Sequence, residues 1–148
     1  MKTATHKQWL VVTAIVIGAF GPVFSLGTTP STASLARLTL DLLDWPIDGA
    51  TTFAHRDTRF LTALTGGFLF GWGVMVWCLR AWVFDRAPDA VRRAVLVGLC
   101  GWFVLDSAGS MAAGVASNVV FNAIVLATAA GPLWIAASDA ADRGTRAA

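Results

Sequence analysis

Three long stretches of this chain are almost free of charge, and short polar segments separate them. Residues 9–26 carry no charged side chain, residues 60–79 carry none, and residues 94–138 carry a single one, Asp106. A helix crossing the ~30 Å hydrocarbon core of a bilayer needs about 20 apolar residues, so the last stretch holds two spans. The pattern predicts four transmembrane helices, over residues 9–27, 59–80, 94–113 and 116–137. Gly114 and Ser117 suit a tight turn between the last two, glycine closing one helix and serine opening the next. Pro22 is expected to kink the outer part of the first span.

Between the first and second spans the pattern changes. Leu35, Leu38, Leu42 and Trp45 recur at helical spacing, with Arg37, Asp41, Asp44 and Asp48 on the opposite side. This predicts an amphipathic helix over residues 30–45, too short and too charged to span, lying on the membrane surface against the bundle. Thr29 and Pro30 supply a start signal for it, Thr29 as cap and Pro30 at the first helical position. Residues 80–93 read as a short polar connection and residues 138–148 as a polar tail. The fold class expected is all-α, a polytopic membrane protein: a single four-helix transmembrane domain over residues 1–148, with one surface helix.

Composition agrees with that solvent. Hydrophobic residues make up 56% of the 148 and charged residues 14%, against roughly 25% charged in ordinary globular proteins. A net charge of +2 with no basic stripe gives no footprint for nucleic acid. The expected partners are membrane lipid and either another membrane protein or a second copy of the chain. All nine acids are Asp and nine of the eleven basic residues are Arg, which suggests a GC-rich bacterial genome. The basic start followed by an apolar run also resembles a secretory signal, but Gly18, Gly21 and Pro22 interrupt the run. It is read as a retained span. Cys78 and Cys100 sit in apolar stretches without metal or redox spacing and read as small buried hydrophobes.

Charge asymmetry sets an expected orientation. With the N-terminus inside, Lys2, Lys7, Arg80, Arg86, Arg92, Arg93, Arg143 and Arg146 are cytoplasmic, while Arg37, Arg56 and Arg59 are outside. That bias predicts an inner-membrane protein with both termini in the cytoplasm. Trp9, Trp77, Trp82 and Trp134 fall at the predicted inner ends, where indoles prefer the headgroup zone.

Candidate chemistry centres on polar groups inside the spans. An Asp near a span's centre costs roughly 2.5–3.5 kcal/mol on insertion scales, so Asp106 should face the bundle and find partners. Ser110 lies one turn along the same helix, and Asn118 and Asn122 lie one turn apart on the next. An antiparallel turn near Val115 brings Asp106 level with Asn122 and Ser110 level with Asn118. Thr62 and Thr65 of the second span reach a similar depth.

Three readings compete for this cluster. In the first, Asp106 bonds Asn122 and locks the hairpin. In the second, Asp106 binds a proton or cation in a small oligomeric transporter. In the third, it joins an enzyme site near His55, Arg56, Asp57 and Arg59 at the outer face. No metalloprotease, nucleophile-elbow, P-loop or dinucleotide motif occurs, and two histidines outside the spans cannot hold a haem. No cofactor and no metal are expected. Gly66, Gly67, Gly71 and Gly73 notch the second span for close helix contact, Gly67 and Gly71 at the small-xxx-small spacing. The function expected is a non-catalytic accessory or assembly subunit packing against a membrane partner.

Overall fold

The computed structural model describes residues 3–136, and all their regular structure is helical. The polar tail expected over residues 138–148 lies outside them. Four helical stretches are long and apolar enough to cross a membrane: Thr3–Leu26, Arg56–Val83, Pro88–Ala112 and Ala116–Trp134. The protein has the layout of a multi-pass membrane protein. Its outer surface agrees, with Phe68 and Leu105 each 76% exposed and Val97 72% exposed. Water would penalise such a surface, whereas acyl chains do not.

The first span is two helices, α1 (Thr3–Gly18) and α2 (Phe20–Leu26), with a break at Ala19. Pro22 has no N–H to give the carbonyl of Gly18 four residues back, so the ladder fails there. Next come α3 (Ser34–Leu43), α4 (Arg56–Cys78), α5 (Pro88–Ala112) and α6 (Ala116–Ala130). α1 and α2 pack along α4, α6 packs on α1 and α5, and α5 pairs with α6. α4 and α5 are not packed closely along their length. The four-membered ring of helices therefore has one open seam.

Two ends can be distinguished. The terminal end holds the start of α1, the α4–α5 connection and the end of α6. Its core is Leu10, Ala14, Val76, Phe84, Val91, Val95, Ala129, Ala130 and Leu133, all buried. Polar clamps reinforce it, with Thr13 Oγ1 donating to Ala129 O at 2.7 Å and Arg92 Nη1 to Leu133 O at 2.9 Å. At the distal end α3 lies across the bundle on a small cluster of Ala33, Ala36 and Phe53.

Several boundaries differ from those expected. α3 starts at Ser34 rather than at Thr29–Pro30. The threonines ahead of it serve a chain reversal instead: Thr28 Oγ1 donates to Ser25 O and Thr32 Oγ1 to Leu26 O. Local hydroxyl-to-carbonyl bonds of this kind compete with helix formation. The expected connection over residues 80–93 is mostly helical, a π-turn over Leu79–Val83 and then two turns of α5 opening at Pro88. Proline at the first helical position lacks an N–H that would be unpaired there anyway. α6 stops at Ala130, and a 3-10 turn over Gly131–Trp134 follows.

The faces of α3 also differ. Leu35, Leu38, Leu42 and Trp45 are exposed, as a face resting on lipid would be, while Asp41, expected on the polar side, is buried. Asp41 accepts the Gly49 N–H at 2.9 Å and so organises the loop after the helix. The side of α3 that meets the bundle carries Ala36, Leu40 and Leu43.

Candidate functional site

The α5–α6 hairpin turns through Gly114, whose φ of +83° lies in the left-handed region that favours glycine. Val115 N–H donates to Ser110 O at 2.9 Å across the turn. Below it, Asn118 Nδ2 donates to Ser110 Oγ at 2.8 Å and Asn122 Nδ2 donates to Ser107 Oγ at 3.3 Å. Ser110 and Asn122 are buried, at 9% and 2% exposure. Two rungs of amide–hydroxyl bonding therefore join the helices, each worth about 0.6–2 kcal/mol inside a membrane.

Asp106 belongs to neither rung. The expected bond to Asn122 is taken by Ser107, the next residue along. Successive residues on a helix are about 100° apart, at 3.6 per turn. Ser110 lies between Ser107 and Asp106 around the helix, about 60° from the first and about 40° from the second. Ser107 stands on the edge that meets Asn122, and Asp106 on the other edge, which lines the seam. Among the described residues none makes a hydrogen bond or ion pair with the Asp106 side chain.

Asp106 instead lines a cavity of about 840 Å³ between α4 and α5. The back wall is Phe20, Phe24, Phe121 and Asn122, and Leu40 and Leu43 of α3 form the roof. The floor is made where Trp72 approaches Trp102, ring centroids 6.3 Å apart, beside buried Leu99. The rim residues Leu61, Phe68 and Leu105 are all exposed, so the opening faces sideways, toward lipid. A second cavity, of about 390 Å³, shares Asp106, Asn118, Leu40 and Leu43 and runs under α3 to Asp44, Thr51 and Val115. The carboxylate thus stands where a greasy groove meets a smaller funnel of mixed polar and apolar lining. Ser117 holds the roof down: its Oγ donates to Leu43 O and accepts the Trp45 N–H at 3.1 Å.

The chain matches no family model, and neither a curated protein nor a solved structure is similar to it. Geometry and chemistry must therefore carry the reading.

Thr62 and Thr65 both line the large cavity, Thr62 buried and Thr65 exposed. Their hydroxyls are spent on their own helix, donating to Thr58 O at 2.7 Å and Leu61 O at 2.9 Å, and neither bonds Asp106. The glycines of α4 divide into two pairs. A Cβ on Gly73 would stand 2.6 Å from Gly18 Cα, and one on Gly66 would stand 2.7 Å from Gly21 O, so these two make the close contact with α1 and α2. Gly67 and Gly71 meet nothing within 4 Å and face outward.

His55, Arg56, Asp57 and Arg59 line neither cavity. Arg59 is used structurally, Nη1 donating to Phe53 O and Ala54 O at 2.9 and 2.8 Å. Among the described residues no three His, Cys or Asp side chains come together as a metal site. His6, expected outside the first span, lies within α1 and is 1% exposed, its Nε2 without a hydrogen-bond partner. Ser107, Ser117 and Asp44 were not singled out from sequence as members of this site. Ser107 had a signal in its i, i+3 spacing to Ser110, whereas the other two join only through the placement of α3.

Proposed function

We propose that the chain is a small, non-catalytic accessory subunit of a membrane, and that its work is to hold a membrane-embedded guest in the groove around Asp106. The observation that supports this is the unbonded carboxylate on the wall of an apolar, sideways-opening cavity. A carboxyl group buried as structural glue would be expected to spend its lone pairs on neighbours, and the two asparagines that share its cavity donate to Ser110 and Ser107 instead. The cavity's volume falls in the range of small-molecule sites, about 300–1,000 Å³. The basic-residue bias read from sequence favours both chain ends on the cytoplasmic side, and the charge composition, Asp-only among acids and Arg-rich among bases, favours a bacterial inner membrane.

The test is extraction of the full chain directly into native lipid discs, followed by lipid and protein mass spectrometry. Thr65→Trp and Leu105→Trp serve as separate groove-filling variants, both at exposed rim positions where a large side chain is tolerated. A species enriched with the wild-type chain and lost from both variants supports the reading. Identical contents in all three preparations would remove it.

A second reading follows from the same carboxylate being reachable from both the groove and the distal funnel: an ion-coupled carrier using Asp106. Four helices enclose no pore, so this reading implies an oligomer. It predicts that Asp106→Asn abolishes flux in proteoliposomes while the protein remains folded.

A further inference from the structure

Resting on the groove reading above, we infer that the guest is a single-chain amphiphile whose head is a protonated amine. The shape of the groove selects against a transmembrane helix. Along α4 its lining runs from Thr58 to Trp72, about 21 Å at 1.5 Å per residue. That is short of the ~30 Å a spanning helix needs. The groove is also closed below by the Trp72–Trp102 contact and roofed above by Leu40 and Leu43, where it narrows into the small cavity under α3. A flexible hydrocarbon chain fits a roofed slot that a rigid rod does not.

Charge selects the head. Among the described residues Asp106 is the only ionisable side chain on the large cavity, and Asp44 joins it on the small one. No described Arg, Lys or His lines either cavity. An anionic head such as a carboxylate or phosphate would meet one carboxylate in a region of low dielectric and another at the exit, with nothing to offset it. A phosphate next to an amine, as in a zwitterionic phospholipid, brings the same conflict. An isolated ammonium gains an opposite charge at Asp106, and the polar side chain of Asn118, on both walls, supplies a further acceptor. The tail then runs from Asp106 down to the Trp72–Trp102 floor, and the head lies under α3 with a path to the distal surface.

The experiment uses the full chain in discs of phosphatidylcholine, incubated with dodecylamine, dodecanol or dodecanoate at neutral pH and read by native mass spectrometry. Wild type should retain one dodecylamine at concentrations at least tenfold below those needed for dodecanol, and should not retain dodecanoate. Asp106→Asn should lower amine retention tenfold or more and leave dodecanol unchanged. Asp57→Asn, a surface acid lining neither cavity, should change nothing, which separates a site from general attraction to acidic residues. Thr65→Trp and Leu105→Trp should abolish retention of both the amine and the alcohol. Circular dichroism and monodisperse elution establish that each variant is folded. If amine, alcohol and carboxylate are held alike by wild type and Asp106→Asn, the assignment of the head is overturned while the groove reading survives. If the guest recovered from native discs is a segment of another protein or a second copy of this chain, the amphiphile is likewise excluded. If no probe responds to the groove-filling variants and native discs carry no guest, both readings fall.

Discussion

The same helices build a closed half and an open half. At the terminal end small residues on facing helices let backbones approach: Gly18 meets Gly73, and Ala129 and Ala130 lie fully buried opposite Thr13 and Leu10. At the distal end α2 stays tight on α4 through Gly21 and Gly66, but Phe20, Phe24 and Phe121 turn into the space between α4 and α5, and that seam does not close. The break at Ala19 is where one regime becomes the other. Within a bilayer, lipid tails are as apolar as a side chain, so tight association relies on packing and polar bonds rather than on escape from water. A bundle of four helices can therefore leave one seam unpacked without exposing it to an unfavourable solvent. The contrast suggests a division of labour, in which the closed half holds the fold and the open half is free to bind.

The largest expected effect comes from removing side chains on the two sides of that division. Leu10 is fully buried in the terminal core. Leu10→Ala should cost about 2–5 kcal/mol, because the hole it leaves is not refilled. Leu105→Ala, on the exposed rim of the groove, should change stability by less than about 0.5 kcal/mol. Reversible unfolding in mixed micelles measures both. Equal losses at the two positions would mean that the seam is packed in solution.

Next in size is a contrast between glycines on one helix. Gly73→Val places a side chain against Gly18 Cα and Ala14 O, backbone atoms that cannot swing away. Overpacking of this kind should cost about 1–3 kcal/mol or more. Gly71→Val points into open space and should be near neutral to folding. If Gly71→Val proves as damaging as Gly73→Val, a neighbour outside this chain covers that face.

How much of this was readable from the amino acids alone depends on the kind of information asked for. The spans were legible because a lipid solvent imposes a length and an absence of charge, and both are visible in any window of residues 60–79 or 94–138. The depth of the polar groups was legible too, since an antiparallel hairpin around Gly114 fixes which rungs are level. Azimuth was not: one step of about 100° separates Ser107 from Asp106, and it decides which of them Asn122 reaches. Of four glycines on α4 the familiar spacing drew attention to Gly67 and Gly71, yet Gly66 and Gly73 make the contact. The direction of a helix face is set by its neighbours, and periodicity cannot name them. The groove lay further out of reach, because a gap between α4 and α5 is a property of the whole arrangement. So was the role of Ser117, which pins α3 only because α3 lies across the hairpin.

A smaller effect tests the rungs of the hairpin. Asn122 is buried and its amide is bonded to Ser107. Asn122→Leu keeps similar bulk and removes the bond. The expected loss is about 0.6–2 kcal/mol. It should match the loss from Ser107→Ala, and the double variant should cost no more than either alone.

The smallest expected change is the one that separates the two roles open to an intramembrane acid. If Asp106 were a lock, Asp106→Leu would remove a bond and lower stability as Asn122→Leu does. With no partner for it among the described residues, no such bond is removed. The insertion cost of the carboxyl group, roughly 2.5–3.5 kcal/mol, is borne by the inserted chain whether or not its helices are packed, so relieving it should leave folding within the membrane almost unchanged. The expected shift is therefore under about 0.5 kcal/mol in micelles stripped of guest. With a guest that binds the folded state the wild type gains stability by mass action, and Asp106→Leu should not share that gain. A stabilisation by dodecylamine that Asp106→Leu loses, set against equal stability without it, would show that the acid serves the open half and not the closed one.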